Sequence, residues 1–270
     1  MHYTILAIVI AVVWHLTVVC YAPRFGLLKP NFKKSAVLAS YGLIEFPYVV
    51  ATAVASGWLG YVEWSRIYQY LSVMSAMWIL GALDDIWGSR DVGGFKGHFK
   101  KLLFERKLTT GALKALGGGL VALVAGFWIY PQAPVSALLA AVVIALASNL
   151  VNLFDLRPGR AVAVLFVGLV VTYIVKYGRL IASPLVGAIA VIAISFGVWD
   201  SRGKAMMGDS GSNSLGAALG LTIALSAPNW MIPAILVMVA VHVYSEKRSI
   251  STLIEANRFF KWIDRRLGVR

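Results

Sequence analysis

Apolar residues run along this 270-residue chain in long blocks, near 4–22, 36–57, 68–84, 110–130, 133–151, 161–175, 182–198, 213–227 and 229–244. A block of about 20 apolar residues is long enough to cross the hydrocarbon core of a bilayer as a helix. The pattern predicts an all-α fold, a polytopic membrane bundle of about nine spans. The last two blocks meet at Pro228, so they are either two short spans or a re-entrant pair. Beyond them the spacing changes. Ile250, Leu253, Ile254, Phe260, Ile263 and Leu267 form one stripe with Arg258, Lys261, Arg265 and Arg266 around it, which predicts an interfacial amphipathic helix. No low-complexity linker divides the chain, so 1–270 reads as a single domain, with a membrane bundle over 1–248 and an amphipathic tail over 249–270.

Composition agrees with lipid exposure. Hydrophobic residues make up 59% of the chain and charged residues only 14%, where a soluble domain carries about 25% charged. The single cysteine, Cys20, lies inside the first block, which excludes a disulfide framework and a Cys-based metal site. Met1-His2-Tyr3 lacks the basic flank of a cleaved leader, so 4–22 is expected to be a retained span.

The net charge of +13 is distributed in a way that sets topology. All of the 25 Lys and Arg except Arg66, Lys114, Lys176 and Arg179 fall in 23–35, 85–109, 152–160, 199–212 and 245–270, segments that nine crossings put on one side. Basic flanks stay in the cytoplasm. The expectation is a multi-pass cell-membrane protein with its amino terminus outside, its carboxyl terminus inside, and the basic residues meeting anionic lipid headgroups rather than nucleic acid. Of the 12 Asp and Glu, only Glu45 and Glu63 lie away from that side. Carboxylates at the ends of apolar spans are costly without a partner, so a polar site is expected at the membrane–cytosol boundary. Glu45, inside a span, reads as hydrogen-bonded within the bundle.

Three constellations can supply chemistry. The adjacent Asp84 and Asp85 repel one another, and a divalent cation or a bound phosphate with its metal would offset that cost. Lys96 and Lys100, which follow, can neutralise a diphosphate; the plainer alternative is a salt-bridged interfacial pair. Asn149, Asn152 and Asp155 are spaced to share a helix face or nearly so. They can grip sugar hydroxyls, phosphate or metal-bound water, or they can simply cap a helix and join its neighbours. The third run is Met207-Gly208-Asp209-Ser210-Gly211-Ser212-Asn213, placed just before a span. Its glycines permit close backbone approach and its amides suit phosphate, while Asp209 offers a hard oxygen to Mg²⁺. A Gly/Ser turn with Asp209 as a cap is the plainer alternative.

In this order and on one face, the three elements resemble the polyprenyl-phosphate sugar-1-phosphate transferase superfamily, glycosyltransferase family 4. Its members include phospho-MurNAc-pentapeptide transferase and the GlcNAc-1-phosphate transferases. The resemblance runs from about Pro30 to Glu246 and implies Mg²⁺ on Asp209. It also implies catalytic roles for Asp84, Asp85 and Asp155, and substrate contacts from Lys96, Lys100, Asn149, Asn152, Gly208 and His242. The implied reaction transfers a sugar 1-phosphate from a nucleotide diphosphate sugar to membrane polyprenyl phosphate, with a homodimer as one possible assembly. The chain departs from the family pattern at Pro158, where a second acid is usual, at Met206, where an aromatic is common, and in the His-poor run from His242 to Glu246. Those departures lie on the donor side and point to a small UDP-amino sugar rather than the peptidoglycan donor. The alternatives are a transporter of lipid-linked sugars, disfavoured because transporters bind near the midplane, and a non-catalytic lipid-carrier-binding relative.

Overall fold

The computed structural model describes residues 7, 9–14, 16–17, 28–30, 36–38, 41–88 and 110–268. Apolar blocks fold as helices: α1 (Gly42–Trp58), α2 (Trp64–Trp87), α3 (Thr110–Ile129), α4 (Pro134–Phe154), α5 (Arg160–Val175), α6 (Ser183–Asp200), α7 (Gly208–Ser226) and α8 (Met231–Lys247). Two short helices follow, α9 (Ile250–Ala256) and α10 (Arg258–Leu267). Among the described residues four helices are long and apolar enough to cross a membrane: Thr110–Ile129, Pro134–Phe154, Ser183–Asp200 and Pro228–Lys247, with Arg160–Val175 a shorter apolar helix. The chain is therefore a helical membrane protein.

Three boundaries differ from the block pattern. Ala36–Leu38 pairs antiparallel with Leu28–Pro30 as a two-stranded ribbon, so the block 36–57 becomes helical only at Gly42. A short apolar run suits a strand as well as a helix, and here a pairing partner decides. The tail is two helices rather than one. Asn257 is extended (φ −102°, ψ 121°) and its side-chain oxygen accepts the N–H groups of Phe259 and Phe260, which caps a fresh helix start. Helix α7 begins at Gly208, before the apolar block, because the polar residues of its first turns find partners inside the bundle.

Helix α7 is the axis of the fold. Every residue from Ser210 to Ser226 is buried, and α4 and α2 are its most extensive neighbours. In lipid the hydrophobic effect does not drive helices together, so close packing by small residues must do it. Gly216 and Gly220 form a GxxxG face on α4: a Cβ at Gly220 would lie 2.5 Å from the Ile144 Cα, and one at Gly216 would lie 2.6 Å from the Ala147 carbonyl oxygen. Polar bonds add to this contact. The Ser148 hydroxyl donates to the Asn213 carbonyl (3.0 Å), the Tyr130 hydroxyl to the Ala224 carbonyl (2.6 Å), and Tyr70 and Thr222 share a hydrogen bond of 2.9 Å. The outer helices present apolar side chains, among them Leu120, Val124, Val167, Ile174, Leu236 and Val237.

Glu45 is buried, but among the described residues neither of its carboxylate oxygens has a hydrogen-bond partner, where a hydrogen-bonded acid was expected in α1.

Gly220→Leu is expected to destabilise the protein by about 1–3 kcal/mol or more, since the added side chain meets backbone that cannot yield. Gly119→Ala, where an added Cβ meets none of the described residues within 4 Å, is expected to be neutral or to stabilise by up to about 1 kcal/mol through helix propensity. Thermal unfolding in detergent, monitored by circular dichroism, measures both.

Candidate active site

The C-terminal ends of α2, α4 and α6 and the first turns of α3, α5 and α7 gather at one end of the bundle. The first N–H groups of a helix have no partner within it. In α7 they are taken by carboxylates from neighbouring helices. Asp85 on α2 accepts the Asp209 amide (2.9 Å), the Ser210 amide (3.1 Å) and the Ser210 hydroxyl (2.8 Å). Asp155, just past α4, accepts the Gly208 amide at 3.0 Å. Gly208 has φ +76°, a left-handed conformation in which glycine is unstrained. The amides expected to be offered to phosphate are thus engaged by the chain's own acids.

Asp84 lies beside this cap and pairs elsewhere. The Lys114 ammonium, on the first turns of α3, donates to Asp84 Oδ2 at 3.1 Å and also to Asp209 Oδ2. About a fifth of the Lys114 side chain is exposed, as is 18% of Asp84 and 27% of Asp209, so this cluster is accessible from outside the protein. Close helix approach makes it possible. A Cβ at Gly81 would lie 2.3 Å from the Asp209 carbonyl oxygen, so only glycine lets α2 bring its acids to the start of α7.

Asn152 is in the site, its side-chain oxygen 2.9 Å from the Ser212 hydroxyl. Asn213 donates to the Asp209 carbonyl at 2.6 Å. Burial, and after it the negative charges of Asp200, Asp209 and Asp85, push the Asp155 carboxyl well above the usual carboxylate range, opposed by the Gly208 N–H.

Asn149, expected on the same face as Asn152, is exposed instead, and the buried residue that meets α7 is its neighbour Ser148. His242 sits on α8 with Nδ1 2.7 Å from the Met238 carbonyl oxygen, while its buried Nε2 has no hydrogen-bond partner among the described residues. Lys96 and Lys100 lie outside the described residues. Among the described residues no group of three or more His, Cys, Asp or Glu side chains is arranged to hold a metal ion.

Residues 67–227 match the sequence model of glycosyl transferase family 4, more than half of the chain. The chain belongs to that family. No curated protein is significantly similar to it. Membership makes the chain a glycosyl transferase and encloses the aspartate cluster, Lys114 and α7 in the matched stretch.

Sequence reasoning missed two features of this candidate site. Lys114 was a lone cation at the start of an apolar block, and the rule that such charges have partners was the signal that could have found it. The second is the turn between α4 and α5. There Asp200 accepts the Gly159 amide at 2.6 Å, and Arg160 reaches the tail through Asp264 and Ser251. Beyond the matched stretch, α8 and the tail complete an apolar cleft of about 640 Å³ with α5 and the edges of α4 and α7. The tail's apolar stripe from Ile250 to Leu267 lines this cleft, with Leu253 and Phe260 still exposed. Its outer face exposes Arg258, Phe259, Trp262, Arg265 and Arg266.

Asp85→Ala strips buried amides of their acceptor and is expected to cost about 1–3 kcal/mol of stability. Asp209→Asn retains size and leaves the cap intact, and is expected to shift the melting temperature far less. Thermal unfolding of the two variants in detergent separates the capping acid from the accessible one.

Proposed function

We propose that the chain transfers a sugar 1-phosphate from a nucleotide diphosphate sugar to membrane polyprenyl phosphate, releasing a nucleoside monophosphate. The observation that carries this reading is the convergence of Asp84 and Asp209, from helices far apart in sequence, on one ammonium. Two carboxylates sharing a cation form a site for positive charge. Mg²⁺ is bound by one or two carboxylates together with substrate phosphates, so Asp84 and Asp209 fit it even without a larger ligand cluster. Bound with the donor, the metal supplies charge neutralisation on the diphosphate.

The chain's own groups provide the rest. Lys114, a compact charge on a flexible stem, turns from the carboxylates to the phosphate oxygens. Asp85 fixes the backbone of Asp209 and acts by positioning. Asn152, Asp155 and Gly208 line the donor side. The cleft takes the polyprenyl hydrocarbon, leaving the lipid phosphate at the site, where its oxygen attacks the sugar-proximal phosphorus. Catalysis of this kind rests on placement and electrostatics rather than on covalent chemistry by the protein. The donor is a small UDP-amino sugar, and the site faces the cytoplasm in a nine-span arrangement with the amino terminus outside.

Purified protein with Mg²⁺, polyprenyl phosphate and a panel of nucleotide sugars tests the reaction. Nucleoside monophosphate release that needs all three components is the expected result, with losses of about a hundredfold or more in Asp84→Asn, Asp209→Asn and Lys114→Met. Turnover of the UDP-MurNAc-pentapeptide donor with rejection of UDP-GlcNAc-type donors would overturn the donor assignment. No turnover with any nucleotide sugar would favour a non-catalytic binder of the lipid carrier. For orientation, single cysteines at positions 91 and 204 in a Cys20→Ala background are expected to resist impermeant reagents applied outside intact cells, and labelling there would refute the arrangement.

A further inference from the structure

We infer that Arg160 and Asp264 form a latch that holds the C-terminal helices as one wall of the apolar cleft, and that this latch sets the affinity for the acceptor's hydrocarbon chain. The identity of the occupant rests on the transfer reading above; the latch stands on geometry alone. Arg160 Nε donates to Asp264 Oδ1 at 2.6 Å and Nη2 to Oδ2 at 3.1 Å, while Nη1 reaches the Ser251 hydroxyl at 2.9 Å. One guanidinium therefore grips both tail helices, α9 through Ser251 and α10 through Asp264. The pair is largely shielded, with side-chain exposures of 7% and 13%. Bidentate pairing demands one geometry, and removing one partner of a buried pair strands the other charge.

The backbone closes on the same point. Gly159, at φ +81°, lies so near the tail that a Cβ would be 2.1 Å from the Leu267 carbonyl oxygen, and a Cβ at Gly268 would be 2.5 Å from the Pro158 carbonyl oxygen. Pro158, Gly159 and Arg160 are thus the residues that seat the tail. The catalytic end has separate supports, since Asp155 is tied to Gly208 and Gly159 to Asp200. Releasing the tail therefore removes a wall of the cleft, lined by Phe260, Ile263 and Leu267 among others, and leaves the aspartate cluster in place. Acceptor binding should suffer and donor binding should not.

The test uses the full chain in nanodiscs, with D264R, the milder D264N, and the charge swap R160D/D264R. Spin labels at the exposed positions 202 and 259, in a Cys20→Ala background, report tail docking by electron–electron distance. The parent is expected to give a narrow distribution, D264R and D264N a broadened one, and the swap a narrow one again. An unchanged distribution in D264R, or a swap that fails to narrow, overturns the latch. Equilibrium binding of radiolabelled polyprenyl phosphate is expected to weaken by about tenfold or more in D264R and to recover in the swap. Equal binding in all variants overturns the acceptor role. Where turnover is measured, the acceptor KM should rise in parallel while kcat and the donor KM stay within about twofold. A parent that binds the lipid through the latch and turns over no donor would count against the transfer reading while supporting this one.

Discussion

The first N–H groups of a helix packed inside a bundle must find partners there, since a buried unsatisfied group costs about 1–3 kcal/mol. Helix α7 meets that constraint by drawing carboxylates from two neighbours onto its first turn, Asp85 from α2 and Asp155 from the end of α4. The demand fixes more than a cap. It sets the depth at which α2 and α4 stand against α7, and with it the position of Asp84 next to Asp85 and of Asn152 one turn before Asp155. The same helix gives up side-chain bulk at Gly216 and Gly220 so that α4 can lie against its backbone. The packing that supports the fold and the geometry that presents the acids are one arrangement.

Charge balance explains why Lys114 stands where it does. Asp84 and Asp209 approach the same region from different helices, and like charges at that separation in a poorly solvated site repel strongly. An ammonium between them relieves the repulsion, at the expense of partly desolvating a cation. With Lys114 the trio still holds an excess of negative charge, so the site favours a further cation over a further anion. A lysine suits a position that must exchange partners, because its charge is compact and its stem flexible, whereas a guanidinium fork would commit to one geometry.

Much of this was legible in the sequence. Apolar blocks located most of the helices, and the acids at their ends pointed to one face, because both signals depend only on the cost of putting charge into hydrocarbon. What failed depended on partners distant in sequence. Ala36–Leu38 is a strand because Leu28–Pro30 pairs with it, and no local pattern in an apolar run states that. Ser148 rather than Asn149 meets α7, since the spacing that relates Asn149 to Asn152 says nothing of which side α7 occupies. Lys114 bonds to residues 30 and 95 positions away. The tail's stripe was read correctly as one apolar face, and its six residues line a single cleft.

The turn from Asp155 to Arg160 shows how a departure from a motif can be informative. An acid at position 158 would add another negative charge close to Asp155 and Asp200, a region already crowded with carboxylates. Pro158 adds none, and it constrains the backbone leading into Gly159, whose left-handed conformation lets the chain pass beneath the Leu267 carbonyl. Arg160 then offers a fixed positive fork to Asp264 while opening α5. A positive charge at a helix start is opposed by the helix dipole, so this placement persists only where a specific anion compensates. Asp264 is that anion, and the unfavourable position of Arg160 is itself a reason to read the contact as more than incidental packing.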